Sequence, residues 1–425
     1  MSIKLYEHQE RALEVVECLN KVAFYHDMGL GKTFTGSEKM VQLGAKVNLI
    51  ICQKSKINDW VEHFLENYHD VNVCNLAKVP AEQLKGFLRE SELIPVDHNI
   101  FIINYELAFR RPELKQLEHF TLMLDESSMI QNESAKRSKF ILSLKPDNVI
   151  LLSGTPTGGK YENLWSQLHL LGWNISKELY WRQYIESEVL MNEGFPVTVV
   201  RGYKNVERLK QKLRDHGAHF LKTEDVLDLP EQVFNTISVP TTKEYRKFKK
   251  DCIVTVEETE LVGDTTLTKM LYERQLCGQY NKAKLEAFRD LLESTNDRLI
   301  VFYNFTDELM KMLKICDDVG RQVSVVNGQM KCLEQYENNE SSVAFIQYQA
   351  GAMGLNLQKA NKIVYFTPPL SSELYEQSKK RVHRIGQSNA CFYYCMTCKN
   401  SIEERIYDTL AMRKDFTDKL FEGSE

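Results

Sequence analysis

No stretch of this 425-residue chain approaches the run of about 18 apolar residues that a membrane helix needs, and the opening MSIKLYEHQE lacks the apolar core of a signal peptide. Positive charge is in short supply too. With 54 Lys and Arg against 59 Asp and Glu the net charge is −5, so no global basic field attracts nucleic acid, and any such binding must come from local patches. Cysteine is present but unorganised: 10 residues are scattered rather than set in a dense framework, which reads as reduced thiols in a reducing compartment. Cys395 and Cys398 form a lone C-x-x-C with no second pair nearby. It reads as filler in a buried strand, with a zinc or redox site as the alternative, and neither zinc nor haem is expected. Short-period repeats and low-complexity tracts are missing as well. What remains is an ordinary globular composition, 43% hydrophobic and 27% charged, long enough for two or three domains with their own cores.

Short apolar runs recur along the chain: KVAFYH, VNLIIC, NIFIIN, FTLMLD and NVILLSG in the first half, then RLIVFYN, QVSVVNG, SVAFIQY and KIVYF. Each is strand-length and is followed by a polar turn and helix-like spacing. Runs without alternation fit strands buried on both faces, as in parallel sheets, and alternating β and α units predict doubly wound α/β layers. Between the two series, residues 158 to 285 show helix-like segments and few strand signals. Pro230, in DVLDLPEQ, blocks helix continuation and marks the crossing between domains. The expected division is a first lobe at 1–228, with a helical protrusion from about 158, and a second lobe at 229–425, with a helical insertion to about 285.

HDMGLGKT, His26 to Thr33, follows a strand and opens a helix-like segment. Gly29 and Gly31 let backbone N–H groups approach phosphate oxygens at a helix N-terminus, Lys32 meets the β/γ-phosphates and Thr33 ligates magnesium. The general pattern has glycine where this chain has His26. In TLMLDESS a strand ends in Asp125-Glu126, which sets two carboxylates at the carboxyl edge of a sheet, where ligands bind in open α/β folds. Asp125 suits magnesium held through water, and Glu126 suits activation of the attacking water. Far downstream, Gln377, Arg381, Arg384 and Gln387 cluster after a helix-like run that starts at Ser372. Guanidinium groups suit the charge spread over a transferring phosphate, and on a helix Arg381 and Arg384 would share a face. His383 reads as structural or relay rather than as a base.

The order and wording of these motifs resemble the superfamily-two helicases, and within them the Swi/Snf-like DNA-translocating ATPases. Leu5 to Gln9 resembles the adenine-reading Gln motif, and Asp27 to Thr33 matches D/E-M-G-L-G-K-T. ICQKSKINDWVEHF, Asn104-Tyr105-Glu106, Leu152 to Pro156, ENLWSQLHLLG, AKLEAFRDLLE, Val326-Asn327-Gly328, QYQAGAMGLNLQKAN and EQSKKRVHRIGQ follow in the family's order, from Leu5 to about Ile406. Two departures stand out: the second motif has Ser128 at its fourth position, and Thr157-Gly158-Gly159 follow S-G-T-P where the family has Asn.

The resemblance implies two RecA-like lobes, use of ATP with Mg2+, and arginine fingers Arg381 and Arg384 supplied by the second lobe. It implies catalytic Lys32, Asp125 and Glu126. Nucleotide contacts would come from Gln9, Met28, Gly29, Gly31, Lys32, Thr33, Gly354, Asn356 and Gln377, with magnesium at Thr33 and Asp125. The backbone of one strand of double-stranded DNA would be held by Lys54, Ser55, Asn104, Asn327, Ala350 and Gly351, without sequence preference. The run Lys243 to Lys250 is either a solvated face or a DNA-facing patch. An RNA-dependent or strand-separating helicase and a non-catalytic nucleic-acid clamp are the alternative readings. A compact motor of this kind suggests a bacterial or viral protein that borrows targeting from a protein partner. It would work in the cytoplasm of a bacterial host or phage-infected cell, or in the nucleus of a eukaryote.

Overall fold

The computed structural model describes residues 4–192, 195–351 and 355–421. The chain divides into two compact units, one running to Val226 and the other Leu227–Lys414, with residues 415–421 grouped with the first. In the first unit six strands come early: Lys21–His26 (β1), Val47–Cys52 (β2), Val71–Asn75 (β3), His98–Asn104 (β4), Phe120–Asp125 (β5) and Asn148–Ser153 (β6). A hairpin, Ile185–Asn192 (β7) and Phe195–Tyr203 (β8), precedes Ala218–Leu221 (β9). The sheet order is β3-β4-β2-β5-β6-β1-β9, and every pair is parallel.

The unbroken apolar runs follow from burial on both faces. Leu49 and Ile51 of β2 enter one hydrophobic cluster, while Ile50 and Cys52 enter the cluster on the other side. Each large apolar side chain buried this way contributes about 1.5–3 kcal/mol. Parallel pairing has a geometric consequence for function. The carboxyl ends of β1, β2, β4, β5 and β6 share one edge, so His26, Cys52, Asn104, Asp125 and Ser153 lead into loops along that edge.

The second unit repeats the plan with Gln232–Val239 (β10), a small hairpin Ile253–Val256 (β11) and Thr259–Val262 (β12), then Leu299–Tyr303 (β13), Val323–Val326 (β14), Lys331–Cys332 (β15), Val343–Gln347 (β16), Lys362–Tyr365 (β17) and Cys391–Cys398 (β18). Its sheet runs β10-β18-β17-β13-β16-β14-β15, antiparallel at β14–β15 and parallel at every other pair. The two units are thus α/β domains built on seven-stranded, largely parallel sheets.

The stretch from 158 to 285 carries helices, among them Lys177–Tyr184, Val206–Asp215, Lys243–Asp251 and Thr266–Cys277, but it is not helical alone. It holds the β7–β8 hairpin, β9 at the edge of the first sheet, and β10 at the edge of the second. These strands bury too little to write the signal of a two-sided core. Val189, Met191 and Phe195 of the hairpin are 65%, 70% and 74% exposed. Along β10 exposed and half-buried residues alternate, with Asn235, Thr236 and Ser238 among them, and β9 has only four residues. Among the described residues no helix is long and apolar enough to cross a membrane.

Candidate active site

β1 delivers the chain into a tight loop in which Gly29 and Gly31 adopt φ of 88° and 73°, left-handed values that cost an L side chain about 1–2 kcal/mol. The helix Lys32–Leu43 starts directly after Gly31 with no side-chain cap, so its N-terminus is left to an anion. Lys32 Nζ donates to the carbonyls of His26 (2.8 Å) and Asp27 (3.1 Å), which folds the amine back over the loop. Gly154, from the S-G-T-P segment, comes so close that a Cβ there would lie 3.5 Å from Lys32 Nζ and 3.2 Å from Met28 Cγ. Thr33, half-buried, is the second residue of that helix, and Ser37 Oγ donates to its carbonyl at 2.6 Å.

Two neighbours fix the loop from outside. Gln9, expected to read adenine, is 2% exposed and gives its amide to the loop itself: Nε2 donates to the carbonyls of Gly31 (3.1 Å) and Leu30 (3.3 Å), while Oε1 accepts from Tyr6 N (2.9 Å). On the other flank Asp27 Oδ2 accepts from both the N–H and the hydroxyl of Thr223, each at 3.1 Å. His26, in the place of the usual glycine, turns inward against His219 at 2.8 Å. Burial first, and His219 second, hold His26 well below the ordinary imidazole range, and burial lowers His219 to about 4.

At the end of β5, Trp60 Nε1 donates to Asp125 Oδ2 at 2.8 Å and aims the carboxylate. Glu126 sits in the left-handed region at φ 60°, and its Oε1 accepts from Ser153 (2.9 Å) and Ser128 (3.2 Å). Ser128 thus serves the carboxylate directly. Burial raises both carboxyl groups above their usual range. The Trp60 hydrogen bond, then Lys32, oppose this at Asp125, and Lys32 opposes it at Glu126. The structure therefore gathers Met28, Gly29, Gly31, Lys32, Thr33, Asp125 and Glu126 from two segments onto one sheet edge. The uncapped helix end, the lysine and the paired carboxylates suit a magnesium-bound nucleotide triphosphate. Trp60, Ser153 and Gln167 were not singled out from the sequence, although each lies in a segment that was quoted.

In the second unit the helix Ser372–Lys379 stops before the arginines, so the expected shared helical face for Arg381 and Arg384 is replaced by a compact turn. Tertiary bonds explain the stop. His383 Nε2 donates to the Pro230 carbonyl at 2.9 Å, and Gln387 Nε2 donates to the carbonyls of Ala360 (3.0 Å) and Gln358 (3.1 Å). Gln377 is buried and its amide reaches Glu373 at 3.3 Å; Asn356 is exposed; Gly354 lies outside the described residues.

Lys54 and Ser55 stand exposed just past β2. Asn104, 6% exposed, donates to Glu106 at 2.9 Å. Asn327, after β14, caps the N–H groups of Gln329 and Met330. Ala350 is buried, and with Gly351 it ends the short helix after β16. Of the basic run, Tyr245 and Phe248 are buried while Lys243, Arg246, Lys247, Lys249 and Lys250 are exposed. Cys395 and Cys398 have separate partners: Cys395 lies 3.7 Å from Tyr375 Oη, and Asn281 Nδ2 donates to Cys398 Sγ at 3.1 Å. Cys398, Cys277 and Glu403 have ligand atoms within 4.8 Å of one another, but both oxygens of Glu403 accept from Lys284 Nζ, at 2.7 and 2.8 Å.

Residues 8–282 match the SNF2-related domain, and residues 283–386 match the helicase conserved C-terminal domain. The chain is 22% identical to "SWI/SNF-related matrix-associated actin-dependent regulator of chromatin subfamily A member 1" of Mus musculus, over 90% of this chain and 40% of that protein. It is 23% identical to "Putative ATP-dependent helicase/translocase YwqA" of Bacillus subtilis, over 93% of this chain and 46% of that protein. The chain therefore spans less than half the length of these curated relatives. A solved structure, "Sulfolobus solfataricus SWI2/SNF2 ATPase core in complex with dsDNA", aligns over 100% of this chain and 94% of that one, at 19% identity and a TM-score of 0.46.

Proposed function

The chain belongs to the SNF2-related family, and on that premise we propose that it is a DNA-dependent ATPase that moves along double-stranded DNA without efficiently separating the strands. The observation that carries the reading is the single sheet edge on which Lys32, Asp125 and Glu126 meet. Bound there with Mg2+, ATP supplies the phosphoanhydride bond whose hydrolysis drives the motor. Lys32 would offset charge on the β/γ-phosphates, Thr33 and Asp125 would hold Mg2+, which would neutralise charge developing on the phosphates, and Glu126 would take the proton of the attacking water. Glu126 does this in its ionised form, which burial opposes and which the charge of Lys32, then the Ser153 and Ser128 hydroxyls, favour. From the second unit, Gly354, Asn356 and Gln377 contribute to nucleotide binding, and Arg381 and Arg384 meet the γ-phosphate when DNA draws the two units together. Lys54, Ser55, Asn104, Asn327, Ala350 and Gly351 hold the phosphates of one strand, largely through backbone N–H groups and small side chains, so binding is independent of sequence and weakens steeply with salt.

Strand separation needs a wedge that competes with stacking, worth about 1.4 kcal/mol per base-pair step. One feature favours that second reading: the β7–β8 hairpin presents Val189, Met191 and Phe195 to solvent. Against it, the hairpin carries Glu186 and Glu188, and its one arginine, Arg201, donates to Glu188 at 2.7 Å, which leaves no cation to hold phosphate. A triplex-displacement assay run beside unwinding of a tailed duplex separates the two readings. Removal of the third strand that requires ATP, with little unwinding, is the expected result. Robust unwinding of the tailed duplex, or stimulation by RNA alone, overturns the translocase reading.

A further inference from the structure

Gln167 belongs to the short helix Trp165–Leu170, bears no charge, and is fully buried beneath the sheet edge just described. Its side chain touches three of the segments that form that edge. Oε1 accepts from Ser127 Oγ at 2.7 Å and from Tyr25 Oη at 3.0 Å, while Nε2 donates to the Pro156 carbonyl at 2.8 Å. The partners fix the orientation of the amide, because two hydroxyls with protons to give face one end and a carbonyl faces the other. Tyr25 is in β1, one residue before the start of the phosphate loop. Ser127 directly follows Glu126, and Pro156 closes the S-G-T-P segment.

Ser127 and Ser128, the second of them the departure from the usual second motif, therefore divide two tasks. Ser128 donates to the Glu126 carboxylate, and Ser127 fastens the backbone behind Glu126 to Gln167. That backbone needs fastening, since Glu126 holds a left-handed φ of 60° that a non-glycine residue leaves unless neighbours oppose it. A second link runs in parallel. Ser153 Oγ donates to Glu126 Oε1 at 2.9 Å and accepts from Thr155 N at 3.2 Å, so the S-G-T-P segment grips the carboxylate itself. Through Ser153 and Gln167, the segment holds both ends of one residue.

We infer that Gln167 is a positioning residue for hydrolysis: acting through Ser127 and Pro156, it keeps the Glu126 carboxylate aimed at the attacking water and makes it move together with the S-G-T-P segment. Gln167 touches neither nucleotide nor metal in this account, so its loss affects turnover and not nucleotide affinity. The inference rests on the reading of Glu126 as the group that activates water.

The test is a double-mutant cycle on the full chain, with kcat and KM for ATP measured on saturating duplex DNA for Ser127→Ala, Gln167→Leu and the pair. Each single change is expected to lower kcat about tenfold, a barrier increase of about 1.4 kcal/mol, with KM within about twofold of wild type. The double variant is expected to be no slower than the slower single one, because both remove the same link. Losses that multiply, a loss confined to KM, or a Ser127→Ala enzyme with wild-type kcat each overturn the inference. Thermal melting of every variant checks that it is folded at the assay temperature. If Gln167→Leu does not fold, Gln167→Met, uncharged and similar in length, removes the bonds to Ser127, Tyr25 and Pro156 and replaces it in the cycle with the same expectations. Glu126→Gln, measured alongside, separates the two levels of the argument. Wild-type turnover in that variant removes the premise, whereas a dead Glu126→Gln beside an unimpaired Ser127→Ala removes only the role of Gln167.

Discussion

Gly31 meets two constraints at once. Its φ of 73° lies where an L side chain is strained, and a Cβ added there would come 2.2 Å from Gln9 Nε2. That nitrogen is the end of a flexible side chain, but Gln9 is buried and bonded to two carbonyls, so it cannot move without giving those bonds up. Gly31→Ala is therefore expected to destabilise the first unit by about 1–2 kcal/mol from the backbone alone, with the displaced glutamine adding to it. Removing the obstruction with Gln9→Ala in the same chain should recover part of that loss. Urea unfolding of the two single variants and the double variant checks this, and a Gly31→Ala protein with a wild-type midpoint contradicts it. Sequence could supply the need for glycine at this position, since the loop pattern demands it. The partner across the gap could not be read, because contact between Gln9 and residue 31 exists only after the helix Glu7–Val15 is laid beside the loop. The same holds for His26, whose inward turn requires His219, a residue nearly 200 positions away.

Among the elements, the helix Thr306–Val319 has an unusual start. Glu308, fully buried, caps it by accepting at Oε2 from the N–H groups of Asn304 (3.1 Å) and Phe305 (3.2 Å) and from the Thr367 hydroxyl (3.0 Å). Burial nevertheless pushes its carboxyl from 4.5 up to about 7, because the bond from Asn304 N–H, then the charge of Lys284, offset only part of the desolvation. The folded chain therefore holds a proton that the unfolded chain releases between these values. Stability from this group is fully present below pH 4.5 and is lost as pH rises through 7, by up to about 3 kcal/mol in all. Glu308→Gln should remove that slope, which denaturation at pH 5, 6.5 and 8 measures; an unchanged slope in the variant shows that Glu308 is not its source. Other elements differ in how well the sequence announced them. β13 is apolar throughout, and β2 is apolar but for Asn48, because both their faces are covered. The hairpin β7–β8 and the edge strand β10 bury neither face completely, so they lack the unbroken apolar runs that mark the central strands. The arginine segment was recognised by wording, yet its shape was misjudged, since the bonds from His383 and Gln387 that stop the helix are tertiary.

For the whole molecule, the reading as a motor puts hydrolysis under the control of the second unit. Arg381→Ala and Arg384→Ala should each lower DNA-stimulated turnover by about 10³-fold or more, the range typical of arginine fingers, while nucleotide affinity stays near wild type. Steady-state rates with and without duplex DNA, together with fluorescent-nucleotide titrations, check both halves of the expectation. Retained stimulation by DNA in either variant contradicts it.

The parallel order of the first sheet also sets a schedule for its birth. β1 is made within the first 26 residues, but its partner β9 is Ala218–Leu221, and the clasp between Asp27 and Thr223 closes only after that. At ribosomal speeds of about 5–20 residues per second, roughly 10–40 s pass between the two. During that interval the nascent chain carries an apolar strand with an unpaired edge beside a half-finished phosphate loop. The region on which the chemistry depends is thus among the last parts of its unit to be completed, and the growing polypeptide must be kept from pairing with its neighbours until then.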